Sequence, residues 1–132
     1  RTILQEKAHH HGGSDPYKLP ARLLALANEC AAMPAFNCKS GKDRTGQLDV
    51  EVKDLYTHLN LTGQVRAPGH ARSDTEKMNL RTLFEQGGGR EVQKFNTGVP
   101  GSKVDLKLFY DLMAVSNEKI DDIKGLSKWV GA

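Results

Sequence analysis

The stretch Asn37–Gly46, with the sequence NCKSGKDRTG, decides how the rest of the chain is interpreted. Its cysteine, Cys38, is separated by five residues from its arginine, Arg44. A loop of this length can surround a phosphate, with backbone N–H groups directed at the oxygens and the guanidinium binding two of them. An apolar segment precedes the loop and an amphipathic pattern follows it. The stretch therefore predicts a phosphate-binding loop between a strand and a helix.

The flanking residues predict an α/β fold of the cysteine-phosphatase type. We interpret Ala35–Asn37 as the end of a buried strand. After the loop, apolar residues at helical spacing predict an amphipathic helix over 45–59: Leu48, Val52, Leu55 and Leu59. An earlier helix is predicted over 20–33, with Pro34 ending it. We expect a small sheet flanked by helices, with the loop at the C-terminal end of a strand.

Other local signals complete the expected secondary structure. Ser73–Glu76 has the pattern of a capping box and predicts the start of a helix, which the glycines at 87–89 end. Residues 61–72 are expected to form an exposed loop, and Val92–Phe95 an extended piece. Cys30 falls in an apolar helical pattern, so we expect a small core residue there.

Composition limits the class of protein. The 132 residues suffice for a single domain, and neither a repeat nor a linker divides residues 1–132. The chain does not begin with methionine, so we expect a partial catalytic domain from a longer protein. It has no apolar run long enough to span a membrane and no signal-peptide pattern. The net charge of +3 is mild, and no nucleic-acid partner is expected.

Cysteine and histidine usage argues against metal and disulfide chemistry. Two cysteines are too few for a disulfide scaffold, and a nucleophilic Cys38 needs a reducing compartment. The adjacent histidines at 9–11 lie in a loop by composition, and no partner set stands at ligand spacing. We therefore expect no metal and no cofactor.

The loop residues fit the chemistry of phosphoryl transfer. Cys38 would attack phosphorus as a thiolate, which the N-terminus of the following helix favours. Arg44 would bind two phosphate oxygens and strengthen as charge builds in the transition state. The small residues Ser40 and Gly41 would let the backbone amides converge on the phosphate. The hydroxyl of Thr45 would hydrogen-bond the departing sulfur.

Two further features of the loop concern the substrate and the proton. Lys39 and Lys42 add positive charge at the rim, which favours a substrate carrying several phosphates, such as an inositol ring. Asp43 is placed either to protonate the leaving oxygen or to hold Arg44 and cap the helix. A nucleotide-binding P-loop is excluded, because an acid follows the lysine and Phe36 stands where its first glycine belongs.

The stretch at 37–46 resembles the active-site motif of the SopB/SigD/IpgD family, bacterial type III secreted inositol phosphate phosphatases. Tyr17–Arg22 and Asn96–Lys103 resemble two further stretches of the family's C-terminal catalytic region. The family's upstream motif of the Asn-Pro-Pro-Val-Ala type is absent. The resemblance implies that the protein hydrolyses phosphatidylinositol 4,5-bisphosphate or related species through a cysteinyl-phosphate intermediate.

The resemblance also implies where the protein acts and with what partners. It implies secretion into host cells, peripheral binding to host membranes, and binding of substrate by Lys103. A secretion chaperone and a host GTPase would bind through regions outside this chain. Two alternatives stay open: a protein tyrosine or dual-specificity phosphatase, and a phosphoinositide-binding fragment without full activity.

Overall fold

The computed structural model describes residue 5, residues 17–38 and residues 43–98. Its two longer ranges form four helices: α1 Lys18–Glu29, α2 Asp43–Thr62, α3 Asp74–Gln86 and α4 Gly89–Thr97. Helix α2 is the centre of the packing, because it contacts each of the other three, and α3 also contacts α4. None of the helices in these ranges is long and apolar enough to cross a bilayer.

The expected α/β fold is wrong, because the described residues form helices and contain no strand. Residues 35–37, interpreted as the end of a buried strand, are irregular and exposed. A strand needs a neighbour that pairs with its backbone N–H and C=O groups, and no neighbour is present among the described residues. The short apolar pair Ala35 and Phe36 carries no periodicity that could separate a strand from an irregular segment.

Helix α2 confirms the helix predicted over 45–59 and extends it at both ends, but its buried face is not the predicted apolar one. The buried residues of α2 are mostly polar: Gln47, Val50, Glu51, Asp54 and Leu55. Leu55 is buried, and the other three residues of the predicted face are half-buried. The apolar core of the described residues is small: Ala21, Val50, Leu55, Leu80 and Phe84.

The ends of the other helices follow local signals only in part. The capping box is confirmed: the Ser73 side chain accepts from the backbone N–H of Glu76, and the Glu76 carboxylate accepts from that of Ser73. Helix α1 begins and ends earlier than predicted, and Cys30 caps it, exposed rather than in the core. Residues 92–95 lie in α4 rather than in an extended piece, because left-handed Gly88 (φ 84°) starts a new helix.

A buried ion-pair network joins α2 to the segment between α2 and α3, which the sequence predicts to be exposed. Arg66 is only 8% exposed, and its Nη1 donates to Asp54 Oδ2 at 2.5 Å. Arg72 Nη2 lies 2.6 Å from Glu51 Oε2 and 3.0 Å from Asp54 Oδ2. Arg22 of α1 donates to the backbone carbonyl of Arg66. The segment is therefore tied to two helices through charged side chains.

Glu76 connects the same network to α3. Its Oε1 lies 2.9 Å from His58 Nδ1 and 3.2 Å from Arg66 Nε, and its Oε2 lies 3.0 Å from His70 Nε2. Burial alone would raise the pKa of Glu76. The hydrogen bonds from His70 and Ser73 and the charge of Arg66 outweigh it, so the pKa lies well below its ordinary value of 4.5.

This lowered pKa predicts a loss of stability in acid. A carboxylate whose pKa is lower in the folded state stabilises the fold above its unfolded pKa, and the contribution is lost as the pH falls below about 4.5. Glu76→Gln keeps the capping box but removes the charge, so we expect it to cost about 1–3 kcal/mol at pH 7. Urea unfolding of both proteins at pH 7, 4.5 and 3 should show the difference shrinking as the pH falls. A pH-independent difference would contradict the role given to the Glu76 charge.

Candidate active site

A pocket of about 150 Å³ lies between the start of α1, the segment before the loop, and the start of α2. Its lining includes Cys38, Arg44 and Thr45, three of the predicted catalytic residues. Apolar side chains and one tyrosine form the rest of its wall together with Asn37: Tyr17, Pro20, Phe36 and Leu48.

The two ends of the loop are held together by one hydrogen bond. The backbone N–H of Cys38 donates to Thr45 Oγ1 at 2.7 Å. Because the oxygen accepts this bond, the hydroxyl proton of Thr45 can be donated to another acceptor. The predicted contact between this hydroxyl and the Cys38 sulfur stays a prediction. The bond that is present holds the backbone of Cys38 against the first turn of α2.

Helix α2 presents its N-terminus to the same place. Asp43 is its first residue and is half-buried, and Arg44 follows as an exposed side chain. The first N–H groups of a helix lack intrahelical acceptors and carry a partial positive charge, so the helix start favours an anion. Cys38 is half-buried beside it. A thiolate nucleophile and a phosphate dianion would both be stabilised by this arrangement.

Helix α4 packs against the start of α2. A Cβ added to Gly46 would lie 3.2 Å from Nε2 of Gln93, a buried side chain of α4. The sequence predicts a close approach of neighbouring backbone at Gly46. The close approach is present, but the neighbour is a side chain. Glycine at this position therefore lets α4 pack directly under the first turn that follows Arg44.

Tyr17 is the pocket residue to which sequence reasoning gave no chemical role. It is half-buried, and burial raises its pKa. The charge of Arg44 acts in the opposite direction, while Cys38, Glu51 and Asp43 raise the pKa further. The phenol therefore lies within the electrostatic reach of the site. The only sequence signal for it is its place at the start of the Tyr17–Arg22 stretch, which carries part of the family resemblance.

Several predicted site residues lie outside the described residues and stay predictions: Lys39, Ser40, Gly41, Lys42 and Lys103. The histidines at 9–11 lie outside them as well. Within the described ranges, no group of three or more histidine, cysteine or acidic side chains is arranged to hold a metal ion.

Comparison with known proteins identifies the family. The family model described as enterobacterial virulence protein IpgD matches residues 1–130. The chain is 38% identical to the inositol phosphate phosphatase IpgD of Shigella sonnei, over 98% of this chain and 26% of that protein. It is 40% identical to the inositol phosphate phosphatase SopB of Salmonella typhimurium, over 90% of this chain and 21% of that protein.

A third relative, the inositol phosphate phosphatase SopB of Salmonella bongori, is 39% identical over 98% of this chain and 33% of its own length. The chain thus spans between a fifth and a third of these three relatives. The match covers the three stretches that carry the predicted resemblance, at 17–22, 37–46 and 96–103. The chain belongs to the family of the enterobacterial virulence protein IpgD.

Proposed function

We propose that the chain carries the catalytic loop of a phosphatase that hydrolyses inositol phosphates and phosphoinositides. The observation that carries the proposal is the meeting of Cys38, Arg44 and Thr45 at one pocket beside the N-terminus of α2. The names of the relatives, inositol phosphate phosphatases, support the same substrate class. A nucleophile, a bidentate donor and a helix N-terminus are the groups that phosphoryl transfer to a cysteine requires.

The proposed reaction has two displacements at phosphorus. In the first, the Cys38 thiolate attacks in line, the S–P bond forms, and the bond from phosphorus to the substrate oxygen breaks. In the second, water attacks phosphorus, the S–P bond breaks, and orthophosphate leaves with the thiolate restored. Arg44 would bind the equatorial oxygens through both steps and gain strength as their charge grows.

The leaving oxygen needs a proton, and we propose Asp43 as its source. Asp43 is the first residue of α2 and precedes Arg44; it does not line the pocket, but its charge acts on Tyr17, which does. The alternative role, a structural partner for Arg44 or for the helix start, predicts loss of stability rather than of the acid step. The Thr45 hydroxyl accepts from the backbone N–H of Cys38, which supports the proposal that its own proton is donated to the departing sulfur.

The finer substrate and the cellular setting are further parts of the proposal. Positive charge at the rim from Lys39, Lys42 and Lys103 would favour rings with several phosphates, with phosphatidylinositol 4,5-bisphosphate as the proposed lipid. The family name supports a virulence effector, delivered by type III secretion, that acts at the membranes of a host cell. A secretion chaperone and a host GTPase would bind regions of the longer relatives that this chain does not span.

A second candidate is phosphoinositide binding without turnover. It is favoured by one observation, the chain's span of only 26% of its Shigella relative. Residues needed for catalysis would then lie in the remainder of the protein. This candidate predicts binding of the same lipids with no release of phosphate.

The test is orthophosphate release from a panel of substrates: vesicles containing phosphatidylinositol 4,5-bisphosphate, soluble inositol polyphosphates, and phosphotyrosine peptides. We expect release from the inositol compounds at least about tenfold faster than from the peptides, because each lysine contact with a second phosphate adds a charge-assisted bond. Release from the peptides alone would overturn the substrate assignment. Vesicle binding without release would favour the second candidate.

A further inference from the structure

We propose that Tyr17 is a substrate-binding residue of this site, whose hydroxyl donates a hydrogen bond to the phosphate that Arg44 binds. The inference rests on the proposed function and adds a residue to it. Tyr17 lines the pocket together with Cys38 and Arg44, and its side chain comes from a different part of the chain than the loop. It therefore adds a wall residue from the start of α1 to the pocket.

The Tyr17 side chain does not cap the helix α1 that it precedes. It occupies the N-cap position of α1, yet its side chain makes no capping hydrogen bond. Only its backbone carbonyl takes part, accepting from the N–H of Ala21 at 2.9 Å. Among the contacts of the described ranges, the Tyr17 hydroxyl has no hydrogen-bond partner. The hydroxyl is therefore available to donate to a ligand oxygen that enters the pocket.

The other tyrosine of the described residues shows what a structural role looks like. The hydroxyl of Tyr56 lies 2.9 Å from Asn28 Nδ2 and 3.1 Å from Glu29 Oε1, and it is within reach of the carbonyl of Ala25. These contacts tie α2 to α1. Tyr56 does not line the pocket at Cys38, and Tyr17 makes none of these bonds. The Tyr56 hydroxyl therefore joins two helices, whereas the Tyr17 side chain lines the pocket.

The charges around Tyr17 favour the form that can donate. A phenolate would repel a phosphate, whereas a phenol presents its O–H to one. Burial raises the pKa of Tyr17, and the nearby Cys38, Glu51 and Asp43 raise it further against the opposing charge of Arg44. The hydroxyl thus keeps its proton at neutral pH. The apolar wall formed by Pro20, Phe36 and Leu48 lowers the local dielectric, which strengthens a hydrogen bond made there.

Tyr17→Phe is the informative change, because it removes only the hydroxyl and keeps the ring in the wall. If Tyr17 serves packing alone, the phosphate affinity stays as it was. If the hydroxyl donates to phosphate, the affinity falls by roughly tenfold or more, as for a hydrogen bond to a charged group. Tyr56→Phe is the matched control, since it removes a tyrosine hydroxyl away from the pocket.

The experiment is calorimetric titration of inorganic phosphate into the protein, in a Cys38→Ser background that prevents turnover. We expect Tyr17→Phe to raise the Kd roughly tenfold and Tyr56→Phe to change it less than about twofold. In the active protein, the same change should raise KM for an inositol polyphosphate more than it lowers kcat. A thermal unfolding curve for each variant separates loss of fold from loss of the contact.

The possible results distinguish failure of the Tyr17 proposal from failure of the phosphatase proposal. An unchanged Kd and KM in Tyr17→Phe, with phosphate release by the parent protein intact, overturns the role of Tyr17 and leaves the phosphatase standing. Equal losses in Tyr17→Phe and Tyr56→Phe overturn it as well, because they would report on the scaffold. A parent protein that neither binds phosphate nor releases it from any panel substrate overturns both.

Discussion

Replacing Cys38 by serine is expected to lower kcat/KM for phosphate release by about four orders of magnitude or more. The serine hydroxyl stays protonated at neutral pH and has no base beside it in the proposed mechanism, so it is a poor nucleophile. The helix N-terminus at Asp43 stabilises an anion at this position, which favours a thiolate but cannot ionise an alcohol. Steady-state release of orthophosphate from a soluble inositol polyphosphate measures the effect.

Cys30 supplies the matched control. It is exposed, it caps the C-terminus of α1, and it does not line the pocket. We expect Cys30→Ser to keep kcat/KM within about twofold of the parent, since surface changes of this kind usually cost little. The mechanism would be contradicted if Cys38→Ser kept more than about a tenth of the activity, or if Cys30→Ser lost as much as Cys38→Ser.

The largest effect on stability is expected from Asp54→Ala, which removes the shared acceptor of the buried network. Asp54 is 1% exposed and accepts hydrogen bonds from both Arg66 and Arg72. Removing Asp54 takes away the acceptor that the two arginines share and leaves Arg66 with Glu76 and Arg72 with Glu51. Breaking a buried pair costs about 3–5 kcal/mol, and these remaining carboxylates put the expected loss at the lower end of that range. The free energy of unfolding of a small domain is on the order of 5–15 kcal/mol, so we expect the variant to lose a large fraction of its stability. Urea unfolding followed by far-UV circular dichroism measures the free energy of unfolding.

Asp49→Ala tests whether burial is the reason for that loss. Asp49 lies one turn before Lys53 on the same helix, with Oδ2 2.6 Å from Nζ, and the two side chains are 37% and 41% exposed. An exposed pair of this spacing contributes about 0.3–0.5 kcal/mol. We expect Asp49→Ala to cost no more than that. Equal losses in the two variants would show that aspartate on α2, rather than the buried network, determines stability.

The parts of the structure that follow from local sequence could be predicted. The four-three-four spacing of apolar residues indicated α2, and the Ser-x-x-Glu pattern indicated the start of α3. Cys38, Arg44 and Thr45 were selected from one short motif, and the structure brings them to one pocket. Each of these signals lies within a few turns of chain, where geometry alone determines which side chains meet.

The parts of the structure that depend on contacts between residues far apart in the sequence could not be predicted. Arg66 and Asp54 are 12 residues apart and Arg72 and Glu51 are 21 apart, so nothing local distinguished these buried pairs from surface charge. The position of Tyr17 in the pocket likewise depends on α1 packing against α2. The predicted sheet was wrong because a strand exists only with its pairing partner, and the apolar residues 35–36 could not reveal that none was present among the described residues.

The central claim is that phosphate passes through the Cys38 sulfur, and the most direct measurement is to trap it there. The protein is mixed with an inositol polyphosphate, quenched during turnover, digested, and its peptides are weighed by mass spectrometry. We predict a phosphoryl group on the peptide containing Cys38 in the parent and in Cys30→Ser, and none in Cys38→Ser. Phosphate release that continues in Cys38→Ser, with no phosphoryl group on Cys38 in the parent, would contradict the account.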